Sequence, residues 1–145
     1  MEKNILIIGE ARSGKTSLAK KLVKEKGYSL ISIDNIVSGF EAYPNLNIRH
    51  DSNDDKTSSN LAPFLINLFI ELSEGSAFYD GIKFVIEGTH IDFEQLMPFL
   101  QNDKYREKYK IIGLTYNDID SNELFNRIKK YDKNEWINKF DDETR

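Results

Sequence analysis

The sequence predicts an α/β fold, a parallel sheet with helices on both faces. Three observations lead there. Short runs of consecutive apolar residues, typical of strands buried on both sides, recur along the chain. Between them lie longer segments whose apolar residues repeat at helical spacing, in single alternation with the strands rather than in blocks. The chain has 145 residues, 39% hydrophobic and 30% charged, which suits one domain, residues 1–145, around one core.

The elements follow in order. Ile5-Leu6-Ile7-Ile8 after Asn4 reads as a buried first strand over Asn4–Ile8. Thr16–Lys26 places Leu18, Ala19, Leu22 and Val23 on one face and Lys20, Lys21 and Lys24 on the other, an amphipathic helix stopped by Gly27. Ser29–Ile33 is a second strand ending at Asp34, and Asn35–Tyr43 a short helix. Residues 44–60 are polar and read as a long surface loop, a kind of segment that is usually functional or disordered. Asn60 is expected to cap a helix from Leu61 to about Ser73, with Leu61, Leu65, Leu68 and Leu72 in one stripe. Lys83–Glu87 is the third strand, Asp92–Leu100 a helix shortened or bent by Pro98, and Lys110–Tyr116 the fourth strand. Asp120 and Glu123 have capping-box spacing ahead of a last helix. The charged tail holds Trp136 and Phe140, with Trp136 read as a packing anchor.

Composition narrows the function. There is no cysteine, which excludes disulfides, thiolate metal sites and thiol catalysis. The net charge of −4 argues against a broad nucleic-acid surface, which needs a positive field. No apolar run approaches the roughly 20 residues that span a bilayer, and the opening Met1-Glu2-Lys3-Asn4 is too short for a signal sequence. The expectation is a cytoplasmic protein without nucleic-acid or membrane partners.

The chemistry is carried by Gly9-Glu10-Ala11-Arg12-Ser13-Gly14-Lys15-Thr16, which fits G-x-x-x-x-G-K-[ST]. Glycines let such a loop wrap until successive amide N–H groups converge on phosphate oxygens, and the following helix adds its positive end. Gly9, Glu10, Ala11, Arg12, Ser13, Gly14, Lys15, Thr16 and Ser17 are therefore the expected phosphate-binding residues. Lys15 would reach the β- and γ-phosphates, and Thr16 would offer its hydroxyl to Mg²⁺. Arg12 either touches phosphate or stays exposed.

Ligands of parallel sheets gather at the carboxyl ends of the strands, and two acids fall there. Glu87 ends the third strand, placed to hold Mg²⁺ directly or through water, or to touch substrate. Asp34 ends the second, placed either to orient and deprotonate an acceptor hydroxyl or to cap the segment after it. Arg49 suits a phosphate or carboxylate on a second substrate. His50 and His90 lie near the expected site, His90 with the alternative of simply entering the next helix. Arg127 supplies the mobile cation that phosphoryl transfer wants over the γ-phosphate. Lys129 and Lys130 read as a solvated basic helix end.

Taken together, "GEARSGKT", "ISID" with Asp34, "FVIEGTH" with Glu87 and "NELFNRIKKYD" with Arg127 resemble the P-loop small-molecule kinases. That group includes nucleoside-monophosphate, shikimate and gluconate kinases and zeta-toxin or chloramphenicol-phosphotransferase relatives. More narrowly the chain looks like uncharacterised bacterial ATP-binding proteins of adenylate-kinase-like type. The resemblance implies a P-loop NTPase-type parallel sheet of four strands in the order 2-3-1-4. It implies ATP and Mg²⁺ as ligands, and catalytic roles for Lys15, Asp34 and Arg127. It also implies an acceptor side in residues 44–60 and a lid-like tail over 127–145. Kinases of this group continue past the lid into a further helix, a fifth strand and a final helix. The expectation here is that the C-terminal strand and helix are missing, as in a truncated gene, and that an exposed sheet edge can pair with another copy. Glu87-Gly88-Thr89-His90 stands where adenylate kinases carry Asp-Gly-Phe-Pro-Arg, so a hydroxyl acceptor is favoured over AMP. The alternatives are a non-catalytic ATP-binding module and a GTPase switch. The latter has only Thr115-Tyr116-Asn117-Asp118, which lacks the guanine-reading lysine, and no D-x-x-G follows strand three.

Overall fold

The computed structural model describes residues 3–9, 14–50, 55–115 and 135–138. At its centre is β1 (Asn4–Gly9), whose Ile5, Leu6, Ile7 and Ile8 are all buried, as an unbroken apolar run demands. Next come α1 (Lys15–Lys26), β2 (Ser29–Ser32), α2 (Ile33–Phe40) and a 3-10 turn at Pro44–Leu46. The long α3 (Asp55–Glu74) and short α4 (Ser76–Tyr79) precede β3 (Phe84–Glu87). Finally α5 (Phe93–Gln101) and α6 (Asp103–Arg106) lead to β4 (Tyr109–Thr115), with β5 at Glu135–Asn138.

The strands lie in the order β2-β3-β1-β4-β5, and every neighbouring pair is parallel. The α/β parallel fold and its first four positions are as expected. The count of four strands is corrected. Glu135–Asn138 pairs with β4 in the register Ile112↔Glu135 to Thr115↔Asn138. The strand thought missing is therefore present, built from four residues of the segment read as a lid-like tail. Its signal was weak because Glu-Trp-Ile-Asn is a four-residue run inside a charged stretch, too short to show a period. The fourth-strand helix with its Asp120–Glu123 box, Arg127 and the remainder of the tail lie outside the described residues.

Alternation along β1 divides the core in two. Ile5 and Ile7 pack with Ala19, Val85, Ile112 and Leu114 under α1. Leu6 and Ile8 pack with Ile33, Leu61, Leu65, Phe69, Ile86 and Leu96 under α2, α3 and α5. The central stripe of α3 is Leu61, Leu65 and Phe69, each 0% exposed, with Leu68 and Leu72 only half-buried. By length and composition Lys56–Tyr79 could cross a membrane, a reading the run-length argument missed. Its stripe is instead the wall of this core.

Helix α3 begins before the expected cap. Asn60 lies within it, and its Nδ2 donates to the backbone oxygen of Asn47 at 3.1 Å. Residues 55–60, read as loop, are helical because tertiary bonds hold them. The fully buried Thr57 hydroxyl donates to Arg49 O at 2.8 Å and accepts from Arg49 N–H at 3.3 Å. Pro63, inside the helix, has no N–H for the carbonyl of Ser59. Gln95 Nε2 donates to that oxygen at 3.3 Å and to Ser59 Oγ at 2.8 Å, so the break in the ladder is filled from α5.

The amino-terminal end of the sheet is pinned by Asn4, which is 0% exposed. Its N–H donates to Lys108 O at 3.0 Å, its Nδ2 to Leu72 O at 3.1 Å, and its Oδ1 accepts from Phe84 N–H at 2.8 Å. The Tyr109 hydroxyl donates to Phe69 O nearby, and burial pushes its pKa far up. Both strands beside β1 are thus fixed at their starts, and their far ends carry the candidate site.

Candidate functional site

The first half of the site is the turn between β1 and α1. Its two flanking glycines take backbone conformations closed to other residues, Gly9 at φ 148 and Gly14 at φ 94. Glu10, Ala11, Arg12 and Ser13 lie outside the described residues. Lys15 opens α1 and is only 5% exposed, and its Nζ donates to Gly9 O at 3.2 Å. The ammonium thus folds back across the mouth of the turn. A cation so deeply set favours an anion beside it. Ser17 follows on the exposed side of α1.

The second half comes from β3. Glu87 is its last residue, in register with Ile7 of β1 on one side and Ser32 of β2 on the other. It is 4% exposed, and its Oε2 accepts from Thr16 Oγ1 at 3.5 Å. A hydroxyl and a carboxylate therefore meet where the sequence predicts a Mg²⁺ site. Both are hard oxygen donors, the kind magnesium takes. Among the described residues no group of three or more His, Asp or Glu could hold a metal by itself. A cation here would take its remaining oxygens from phosphate and water, the usual arrangement for magnesium.

Asp34 falls one residue later than expected in structural terms. β2 ends at Ser32, Ile33 starts α2, and Asp34 is an exposed acid in the first turn. Its alternative role is settled by position: Ser32 is the N-cap residue. Asp34 stands two residues beyond the partner of Glu87, on the strand next to it. The approach of these segments depends on Gly88. A Cβ there would lie 2.5 Å from Ile33 Cβ, so only glycine lets the end of β3 pass so near the start of α2.

Beside Asp34 the structure collects residues that sequence reasoning ranked low or passed over. His50 Nε2 and Ser38 Oγ share a hydrogen bond at 2.8 Å, and His50 N–H donates to Glu41 Oε2 at 3.1 Å. The ring of His90 lies 5.9 Å from that of His50. His90 is half-buried, and desolvation holds its pKa below the ordinary histidine value, with His50 acting the same way and Asp34 opposing. The i, i+4 spacing of Asp34 and Ser38 on a helix was the available signal. Nothing local in the sequence tells that residues 50 and 90 meet. Arg49 is held here through its backbone by Thr57, and its side chain is exposed.

No protein-family model matches the chain, and a search of curated proteins finds no match. Solved structures do. A sugar kinase from Janibacter sp., determined without ligand, superposes with a TM-score of 0.53 at 13% sequence identity, over 95% of this chain and 84% of that one. A gluconokinase from Sinorhizobium meliloti gives a TM-score of 0.49 at 13% identity, over 77% of this chain and 56% of that one. An APS kinase from Mycobacterium tuberculosis gives 0.41 at 13% identity, over 90% and 96%. At these identities the likeness concerns the fold alone, a parallel α/β sheet with helices packed on it.

Proposed function

We propose that the chain is an ATP-dependent phosphotransferase that moves the γ-phosphate to a small-molecule hydroxyl. The observation that carries this reading is the meeting of Thr16 Oγ1 and Glu87 Oε2 at 3.5 Å, beside the nearly buried ammonium of Lys15. The turn glycines, a cation, a hydroxyl and a strand-end acid then occupy one end of the sheet, in the arrangement phosphoryl transfer needs. The kinase-like fold supports the same reading.

In this mechanism Gly9 to Ser17 cradle the phosphates, and Thr16 and Glu87 would hold Mg²⁺. When bound, the metal neutralises charge that develops on the phosphate oxygens. Lys15 adds its positive charge to the same oxygens. Asp34 accepts the proton of the acceptor hydroxyl as that oxygen bonds to the γ-phosphorus. The bond from the γ-phosphorus to the bridging oxygen breaks, and ADP leaves with its electron pair. Positioning and electrostatics supply most of the rate, so few groups are needed. Arg127 keeps its proposed role as the cation over the transferring group, and Arg49 that of a contact to the acceptor, where its N–H groups can donate to hydroxyl oxygens as well as to an anion. The edge beside β4, expected to be open, carries β5; the opposite edge strand, β2, with Leu30 41% exposed, is where a second copy would pair.

The test is acceptor-dependent ADP release in ATP and Mg²⁺, with a broad acceptor panel, on the chain and on Lys15→Ala. Turnover by the chain and a loss of at least about 100-fold in the variant are expected, the scale of removing one electrostatic stabiliser. ATP binding with no transfer to any acceptor would instead mark a non-catalytic ATP-binding module.

A further inference from the structure

Three segments that are distant in sequence bring polar side chains to one place. Helix α2 and its C-cap residue present Asp34, Ser38 and Glu41 at i, i+4 and i+7, a single face turned away from the buried Ile33 and Val37. The segment before α3 contributes His50, fastened to that face by its ring to Ser38 and by its backbone to Glu41. The connection after β3 contributes His90, three residues beyond Glu87 and within electrostatic reach of both Asp34 and His50. The chain has only two histidines, and both are here. A plain packing role would not need this convergence, since His50, Ser38 and Asp34 are all exposed.

We infer that Asp34, Ser38, His50 and His90 form the acceptor subsite and that it takes an uncharged polyhydroxyl compound rather than an anion. This rests on the phosphotransferase reading. Donors and acceptors on the two sides match. A neutral imidazole offers one donor and one acceptor, a serine hydroxyl offers both, and a carboxylate only accepts. That mixture fits hydroxyl groups, which donate and accept in turn. Burial lowers the pKa of His90; Asp34 opposes this and the His50 ring adds to it, and the net direction favours the neutral ring. Asp34 and Glu41 place negative charge on the same face, where a carboxylate or phosphate on the acceptor would meet like charge. His90 acts as a positioning residue, holding the hydroxyl that faces Asp34.

The experiment is histidine-selective NMR of the full chain, with glycerol, ribose, glucose and myo-inositol against gluconate and AMP. With two histidines, every imidazole signal reports on this site. At least one uncharged compound is expected to shift both rings, while gluconate and AMP leave them unmoved. In kinetics His90→Ala is expected to raise the acceptor KM at least tenfold and leave the ATP KM unchanged, with His90→Gln restoring part of the loss. Shifts from gluconate or AMP alone, or from no compound, overturn the inference, as does an equal loss for ATP and acceptor. ATP binding is measured separately. Intact ATP binding with silent histidines sinks the subsite alone, and absent ATP binding sinks the parent reading while the histidine response is still judged directly.

Discussion

Replacing Gly88 by alanine tests how closely the end of β3 must approach α2. The new Cβ would lie 2.5 Å from Ile33 Cβ and 3.2 Å from both Ile33 Cγ1 and Cδ1. Carbon atoms pack at about 3.5–4.0 Å, so the nearest pair is short by about 1 Å. The neighbour is 0% exposed and cannot swing into solvent. Overpacking of this kind costs about 1–3 kcal/mol, and at this chain length each kcal/mol lowers Tm by roughly 2–4 °C. The first turn of α2 must also shift, and Asp34 is the residue after Ile33. A displacement near 1 Å at such a residue can cost about 100-fold in rate. Urea unfolding of Gly88→Ala is therefore expected to show the loss in stability. Acceptor turnover is expected to fall while ATP affinity holds. Gly39→Ala is the control, since no atom lies within 4 Å of its Cβ. Ile33→Val should give no rescue, because the closest contact is Cβ, which valine keeps. An unchanged midpoint in Gly88→Ala, or full rescue by Ile33→Val, would refute the steric account.

Other outcomes follow from single residues. Asn4→Ala leaves Phe84 N–H and Leu72 O without their partner in a buried place, which should cost about 2–6 kcal/mol in urea unfolding at roughly 1–3 per orphaned group. Gln95→Ala should cost about 0.5–1.5 kcal/mol, and less in a Pro63→Ala background, where Ser59 O regains its helical partner; additive effects would contradict the bridging role. His90 has a folded pKa below its unfolded one, so the unfolded chain takes up the proton first. Its contribution to stability should be complete above the ordinary histidine value and fall away as pH drops toward the folded value. NMR titration of its ring should give a midpoint below about 6.5, and a midpoint above it would contradict the burial argument.

Much of the fold was legible because its signals are local. The buried run of β1, the lysine-backed face of α1 and the left-handed stop at Gly27, with φ 76, need no distant partner to be recognised. The same holds for the strand-end acid Glu87 and for the helix expected over Asp92–Leu100, found as α5 with Asp92 as its N-cap, the side chain accepting from Gln95 N–H at 3.3 Å. What escaped depends on contacts across the chain. The first turns of α3 are held by Arg49 and Gln95, so local propensity placed the start at Asn60. Ile33, expected to end β2, opens α2 instead, where it is fully buried. β5 was hidden by its length. The pairing of His50 with His90 joins residues forty apart in sequence and leaves no periodic trace.

The strand order bears on how the protein is made. β1 lies between β3 and β4, and β2 pairs only with β3. No two strands can therefore join until Phe84–Glu87 has left the ribosome. The apolar run of β1 emerges before the other strands of the sheet and must wait for partners translated about eighty and more residues later. Its second neighbour comes later still, with Tyr109–Thr115. During that interval Ile5–Ile8 is an exposed, strand-forming segment, the kind that nascent-chain chaperones shield. The sheet then closes around its oldest strand rather than growing outward from it.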